Sequence, residues 1–223
     1  MRYRSKLIVI AILIASCNQN SSNNSNSDSV THNKNKDSIS SNPQKNTIPN
    51  SSSYDDTALL NIANNILRFF KNRDFVHLSE YIHPQYGVRF SPYGNTDTMR
   101  DKRLSKEELM QLSKSNKSIK WGISDGTGEP INLRLSNYIK RFVYDADFLN
   151  AKEISVNKII GEGVSFNSDS IKHIYPNSDF IEFYFPGFNP KYQGMDWRAL
   201  IFVFKKENGK QYLIAVIHDQ WRV

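Results

Sequence analysis

The sequence predicts an α+β domain, in which N-terminal helices pack on a curved antiparallel sheet formed mainly by the C-terminal half, after a disordered tether. Three observations carry this reading. Apolar residues recur at helical spacing from Asp55 to Asn72. After Glu153 the apolar period changes to two, with Ile, Val, Phe and Tyr abundant. Between positions 18 and 53 the chain is dominated by Asn and Ser, and its apolar residues Val30, Ile39 and Ile48 are isolated.

The first residues explain what precedes the domain. Arg2, Arg4 and Lys6 stand before the apolar run Leu7 to Ala15, the layout of a secretory signal. Nine residues are too few to span a bilayer as a helix, which needs about 20. Ile14-Ala15-Ser16-Cys17 then resembles a bacterial lipobox, and Cys17 is the sole cysteine in the chain. The resemblance implies cleavage before Cys17 and acylation of its thiol and new amino group. With several acyl chains the anchor holds firmly, since each buried methylene contributes about 0.8 kcal/mol. Residues 1–17 are therefore expected to be a lipoprotein signal, 18–54 a disordered tether and 55–223 one globular domain. A tether of that length gives a mean reach of roughly 30–35 Å from the membrane. The expected location is outside the cytoplasm, held by lipid; Asn18 after the cysteine resembles the default for the outer membrane where a cell has two. With its one cysteine used by lipid, the domain has no disulfide to rest on.

Formal charge is +7, of which the signal supplies +3, the tether +1 and the domain +3. A domain of about 170 residues with so small an excess does not read as a nucleic-acid binder, and export argues the same way.

Within the domain, Asp55 and Asp56 are expected to cap a first helix with Leu59, Ile62, Ala63, Ile66 and Phe70 inward. Asp74 caps a second, with Phe75, Leu78 and Ile82 inward, ended by His83-Pro84. Gly87 to Pro92 reads as a short strand. Ser105-Lys106-Glu107-Glu108 is a capping box, with Leu109 and Leu112 on the buried side. Ser136 opens a further helix with Ile139, Phe142 and Val143 inward. Strands follow at 153–161, 179–185, 199–206 and 210–219. Asn208-Gly209 is a two-residue hairpin signal, because both residues tolerate positive φ. A two-residue loop pairs Glu207 with Lys210, Lys205 with Tyr212, Val203 with Ile214, Ile201 with Val216 and Ala199 with His218. Both faces of that ribbon are apolar, so something must cover the second: helices, a cavity lining or a partner chain.

The stretch ANNILRFFKNRDFVHLSEYIHP (63–84), followed by strands, resembles the opening helices of the cystatin-like, nuclear transport factor two-like superfamily. That resemblance implies a cone-like domain in which a curved sheet wraps an N-terminal helix. HPQYGVRFSPY (83–93), WGISDGTGEPI (121–131), YIKRFVYDADF (138–148), FPGFNPKYQGMDWRAL (185–200) and HDQW (218–221) are similar to a group of bacterial secreted proteins and lipoproteins. This second resemblance implies architecture and location, not chemistry.

Candidate chemistry is sparse. Asp125 lies in the glycine-rich 121–130 segment, which lacks both the calcium-loop and the phosphate-loop spacing and reads foremost as turns. No two histidines are spaced as zinc ligands, so no metal site and no cofactor are expected. His218 and Asp219 adjoin in a strand and so face opposite ways. No G-x-S-x-G is present and no free cysteine survives acylation. His83, Arg89, Asp125, Trp197, His218 and Trp221 remain as candidate ligand-binding residues, with no catalytic residue assigned. The expected function is a lipid-anchored envelope protein whose domain binds a ligand or a protein partner. The alternatives are an enzyme of the cone superfamily, using acid–base chemistry in an enclosed pocket where His83, His218, Asp219 or Asp125 would converge, and a structural homodimer joined through the open sheet face. Where the second apolar face goes distinguishes them.

Overall fold

The computed structural model describes residues 51–161 and 167–221, with side chains from 55 onward. The expected signal, Cys17 and most of the expected tether lie outside the described residues.

Helix α1 spans Ser51–Asn72. It starts four residues inside the expected tether, and Asp55 and Asp56 sit within it rather than at its cap. Positions 51–54 hold no proline or glycine, so nothing there stops the helix from extending. Leu59, Ala63, Ile66, Leu67 and Phe70 are buried along one stripe. Helix α2, Phe75–Ser79, is capped by Asp74, whose carboxylate accepts from the His77 amide. It ends before His83-Pro84 because the chain turns to bond elsewhere: the Leu213 amide donates to the Tyr81 carbonyl at 2.7 Å, and the His83 amide to the Leu213 carbonyl at 3.2 Å.

These two bonds set the topology. They lay 81–83 beside the start of the last strand, running the same way, and β1 (Val88–Ser91) continues alongside it. The main sheet has six strands in the order β2-β1-β8-β7-β6-β5, where β2 is Lys102–Leu104, β5 Glu153–Val156, β6 Asp179–Phe185, β7 Arg198–Glu207 and β8 Lys210–Gln220. β1 pairs β8 in parallel and the other neighbours are antiparallel. The sheet is thus mixed, where the sequence reading expected an antiparallel one. Strand β5 is shorter than the expected 153–161, because Asn157 turns it at φ 56°.

Three elements lie off the sheet edge. Helix α3, Lys106–Ser113, begins with the expected capping box on Ser105. β3 (Ser118–Ile123) and β4 (Pro130–Arg134) form a separate hairpin around the glycine turn, with Gly126 and Gly128 at positive φ. Helix α4, Leu135–Phe142, starts at Leu135 without a side-chain cap rather than at Ser136.

The β7–β8 hairpin keeps the expected register from the Asn208-Gly209 turn as far as Phe204–Leu213. A bulge then inserts Ile214. Beyond it Val203 pairs with Ala215, Ile201 with Ile217, Leu200 with His218 and Ala199 with Asp219, one residue away from the expected pairs.

The sheet has two apolar faces and both are covered. On one, Ile181, Phe183, Leu200, Phe202 and Val216 share a core with α1 and α4, and the Phe70 ring lies 5.9 Å from that of Phe202. On the other, Phe180, Ala199, Ile201, Val203 and Ile217 share a core with Ile171 of helix α5, Ser168–Ile174, and with Tyr175, which caps its C-terminus. Ile159 and Ile160 complete that cover. The strap 159–161 is fastened by Glu182, whose carboxylate accepts from the amides of Ile160 and Gly161.

Candidate functional site

The second face does not close completely. Between β1, β2 and the end of α5 lies a cavity of about 330 Å³. Arg89, Arg103 and Lys205 line it, together with the phenols of Tyr86 and Tyr175 and the apolar side chains of Ile174, Pro176 and Ile214. No carboxylate is among its lining residues.

The sheet register produces this cluster. Arg89 and Arg103 are directly paired across the β1–β2 ladder, so both side chains leave the same face. Like charges in such a pair repel. Arg89 is only 7% exposed, and its Nη1 donates to the carbonyls of Thr98 (2.8 Å) and Asp101 (3.3 Å). Its Nε is buried with no hydrogen-bond partner among the described residues, and so is the hydroxyl of Tyr175. Burial pushes that phenol up to about 12. Asp101 lies behind Arg89, its carboxyl pushed up to about 6 by burial. Lys205 stands 4.7 Å over the Tyr86 ring at the rim.

His83 positions this wall. It is fully buried, and its Nδ1 accepts from the amides of Gln85 and Tyr86, both at 3.2 Å. An accepting Nδ1 leaves the proton of the neutral ring on Nε2, 3.4 Å from the Glu207 carboxylate. Burial lowers its pKa, against the pull of Glu207. His83 therefore holds the turn that delivers Tyr86, and does not itself line the cavity.

The other candidates lie elsewhere. Trp197 is buried behind Tyr184, with ring centroids 6.0 Å apart. Asp125 is exposed at the β3–β4 turn beside a shallower depression that also includes Asp97 and Arg100. Trp221 is 47% exposed just beyond β8. His218 is fully buried on the α4 side, the face opposite to Asp219 as strand alternation requires. Its Nε2 is 3.2 Å from Asp145 Oδ2, and the same oxygen accepts from Arg198 Nε at 2.9 Å. Burial pushes Asp145 up, but His218 and Arg198 outweigh it and hold its carboxyl below the ordinary range. With Nδ1 3.3 Å from the Pro92 carbonyl and the Phe142 ring against it, His218 ties three segments together. Of the six candidate residues, Arg89 alone lines the cavity.

Sequence reasoning missed Arg103, Lys205 and Tyr175. A cation facing a cavity from a strand edge carries no local pattern. The pairing of Arg103 with Arg89 is visible only once β2 is placed. Tyr175 is the C-cap of α5, a seven-residue helix whose signal is the cap at Asn167, which accepts from the Ser170 amide.

No family model, curated protein or solved structure matches the chain. Among the described residues no helix is long and apolar enough to cross a membrane, and no cluster of His, Cys, Asp and Glu is arranged to hold a metal ion.

Proposed function

We propose that this chain is a lipid-anchored protein of the bacterial envelope whose domain is a binding module, with the cavity under α5 as its ligand site. The observation that carries the reading is the cavity lined by three cations and two tyrosines, with no carboxylate among the lining residues. The buried Asp101 carboxyl near Arg89 offsets one of the three at most, and an anionic occupant would offset the rest. The anchor rests on the lipobox at Ile14–Cys17 and the charge pattern before it.

The domain is read as a cone of the nuclear transport factor two-like kind. The shared core of α1 with one sheet face and the Phe70–Phe202 contact support that reading. In an enzyme of that architecture the pocket lies inside the cone. Here that space holds Phe70, Phe90, Trp121, Tyr138 and Phe202, all fully buried, with Trp121 stacked on Tyr138 at 4.0 Å. This favours a binding module over the enzyme. The cover that α5 lays over the second face favours it over a homodimer joined through that face.

Two variants test the proposal together, read by membrane fractionation and native intact mass after purification from the protein's own host. Cys17→Ala leaves the membrane fraction and keeps its co-purifying ligand. Ser178→Trp, which fills the cavity mouth, stays membrane-bound and loses it. A Cys17→Ala chain that remains fully membrane-bound sinks the anchor; the same mass increment above the bare polypeptide in wild type and Ser178→Trp sinks the site.

A further inference from the structure

We infer that the ligand of the α5 cavity is a small organic oxyanion: a carboxylate or phosphate head on a compact apolar body. This deepens the proposed site and rests on it.

Arg89 and Arg103 are cross-strand partners with side chains on one face, and Lys205 approaches from β7. Such a group of like charges repels itself unless a counter-charge sits between its members. Among the lining residues that counter-charge is missing. Asp101 is not a lining residue, but its backbone carbonyl accepts from Arg89 and its buried carboxyl attracts the same guanidinium, so it offsets one of the three cations from within the protein. Both bonds that Arg89 makes use Nη1. The Nε side of the fork is left unbonded, and that edge matches two oxygens of a carboxylate or phosphate. The Tyr175 hydroxyl lies against Arg89, and both it and the Arg89 Nε are shielded from solvent beneath the cavity surface. A ligand oxygen between Arg89 and Arg103 would reach these two atoms as the side chains turn outward.

The rest of the lining sets the body of the ligand. Ile174, Pro176 and Ile214 form an apolar wall, which bare inorganic phosphate would leave uncovered. At about 330 Å³ the cavity lies at the small end of the range for ligand sites, about 300–1,000 Å³. That suits a single ring or a short branched chain, not a polymer.

The test is calorimetric titration of the detergent-solubilised mature chain with matched probes: benzoate, phenyl phosphate, benzamide, benzamidinium and inorganic phosphate. Benzoate or phenyl phosphate should bind at least about tenfold more tightly than benzamide, since a charge-assisted hydrogen bond is worth roughly 1.5–3 kcal/mol. Which of the two anions binds tighter assigns the head group. Inorganic phosphate should bind more weakly than phenyl phosphate, and benzamidinium not at all. Arg103→Gln, at an exposed rim position that leaves the core intact, should weaken the preferred anion by about tenfold and flatten its salt dependence. Benzamide binding as well as benzoate would overturn the anion while leaving the cavity as a site. Inorganic phosphate binding as tightly as phenyl phosphate would overturn the apolar body. Silence from every probe, with the same mass increment above the bare polypeptide in wild type and Ser178→Trp, would overturn both this inference and the site beneath it.

Discussion

Glu182 points from the middle of β6 into the apolar layer under α5, only 1% exposed, and spends its carboxylate on two backbone amides of the strap. Burial pushes it from the ordinary 4.5 up to about 7, with the nearby Asp219 adding to the rise. The folded chain therefore keeps a proton there that the unfolded chain gives up. Stability from this group is full below pH 4.5 and is lost as pH rises towards 7. Between pH 5 and pH 8 the loss is on the order of 2 kcal/mol. Glu182→Gln should remove that part of the pH dependence. The part due to Asp101, which burial pushes up to about 6, should remain. Urea midpoints at the two pH values read the outcome, and a variant that keeps the full wild-type slope refutes it. At this scale the sequence could single out Arg89, an arginine in a short apolar strand. It could not reveal a carboxylate at Glu182 whose partners lie twenty-one and twenty-two residues away in a strap with no motif.

At the scale of elements, local chemistry was the readable part. The Asp74 cap, the Ser105 capping box and the Asn208-Gly209 turn each depend on two to four adjacent residues, and each forms as expected. The bulge at Ile214 has no such signature. It exists because β8 must serve the turn at one end and the α4-side core at the other, and it moves every later pair by one residue. The parallel join of β1 to β8 likewise depends on contacts made 130 residues apart in sequence, between 81–83 and 213. Gly87 is where that join is most demanding. Its φ is +64°, and a Cβ there would lie 2.4 Å from the Leu104 carbonyl oxygen of β2. Gly126 also has positive φ, +87°, but a Cβ there would meet nothing within 4 Å. Gly87→Ala should therefore cost clearly more than the roughly 1 kcal/mol expected of Gly126→Ala from backbone strain alone. Thermal melts of the two variants compare them directly, and equal shifts would show that β2 does not press on Gly87.

For the whole molecule, the α+β class and its order, helices first and most of the sheet last, follow from the change of apolar period near Glu153. The doubly apolar β7–β8 ribbon requires a second covering layer. It does not say that the chain supplies the layer itself, since α5 is too short for its period to stand out. That layer separates the two sides of the sheet by role. The α1 side is filled with aromatic rings, and the α5 side retains a cavity at the sheet edge, where the β1–β2 pair brings two arginines together. The proposed lipid anchor would keep such a site at a membrane, outside the cytoplasm, without burdening the domain with a membrane-spanning element.

The most direct test is a crystal structure of the mature chain taken from its own host without added ligand. The account predicts density for a small molecule in the α5 cavity, with oxygens bonded to the guanidinium groups of Arg89 and Arg103. An empty cavity in which Tyr175 has turned to another partner, or one filled by a side chain of the protein itself, would contradict it.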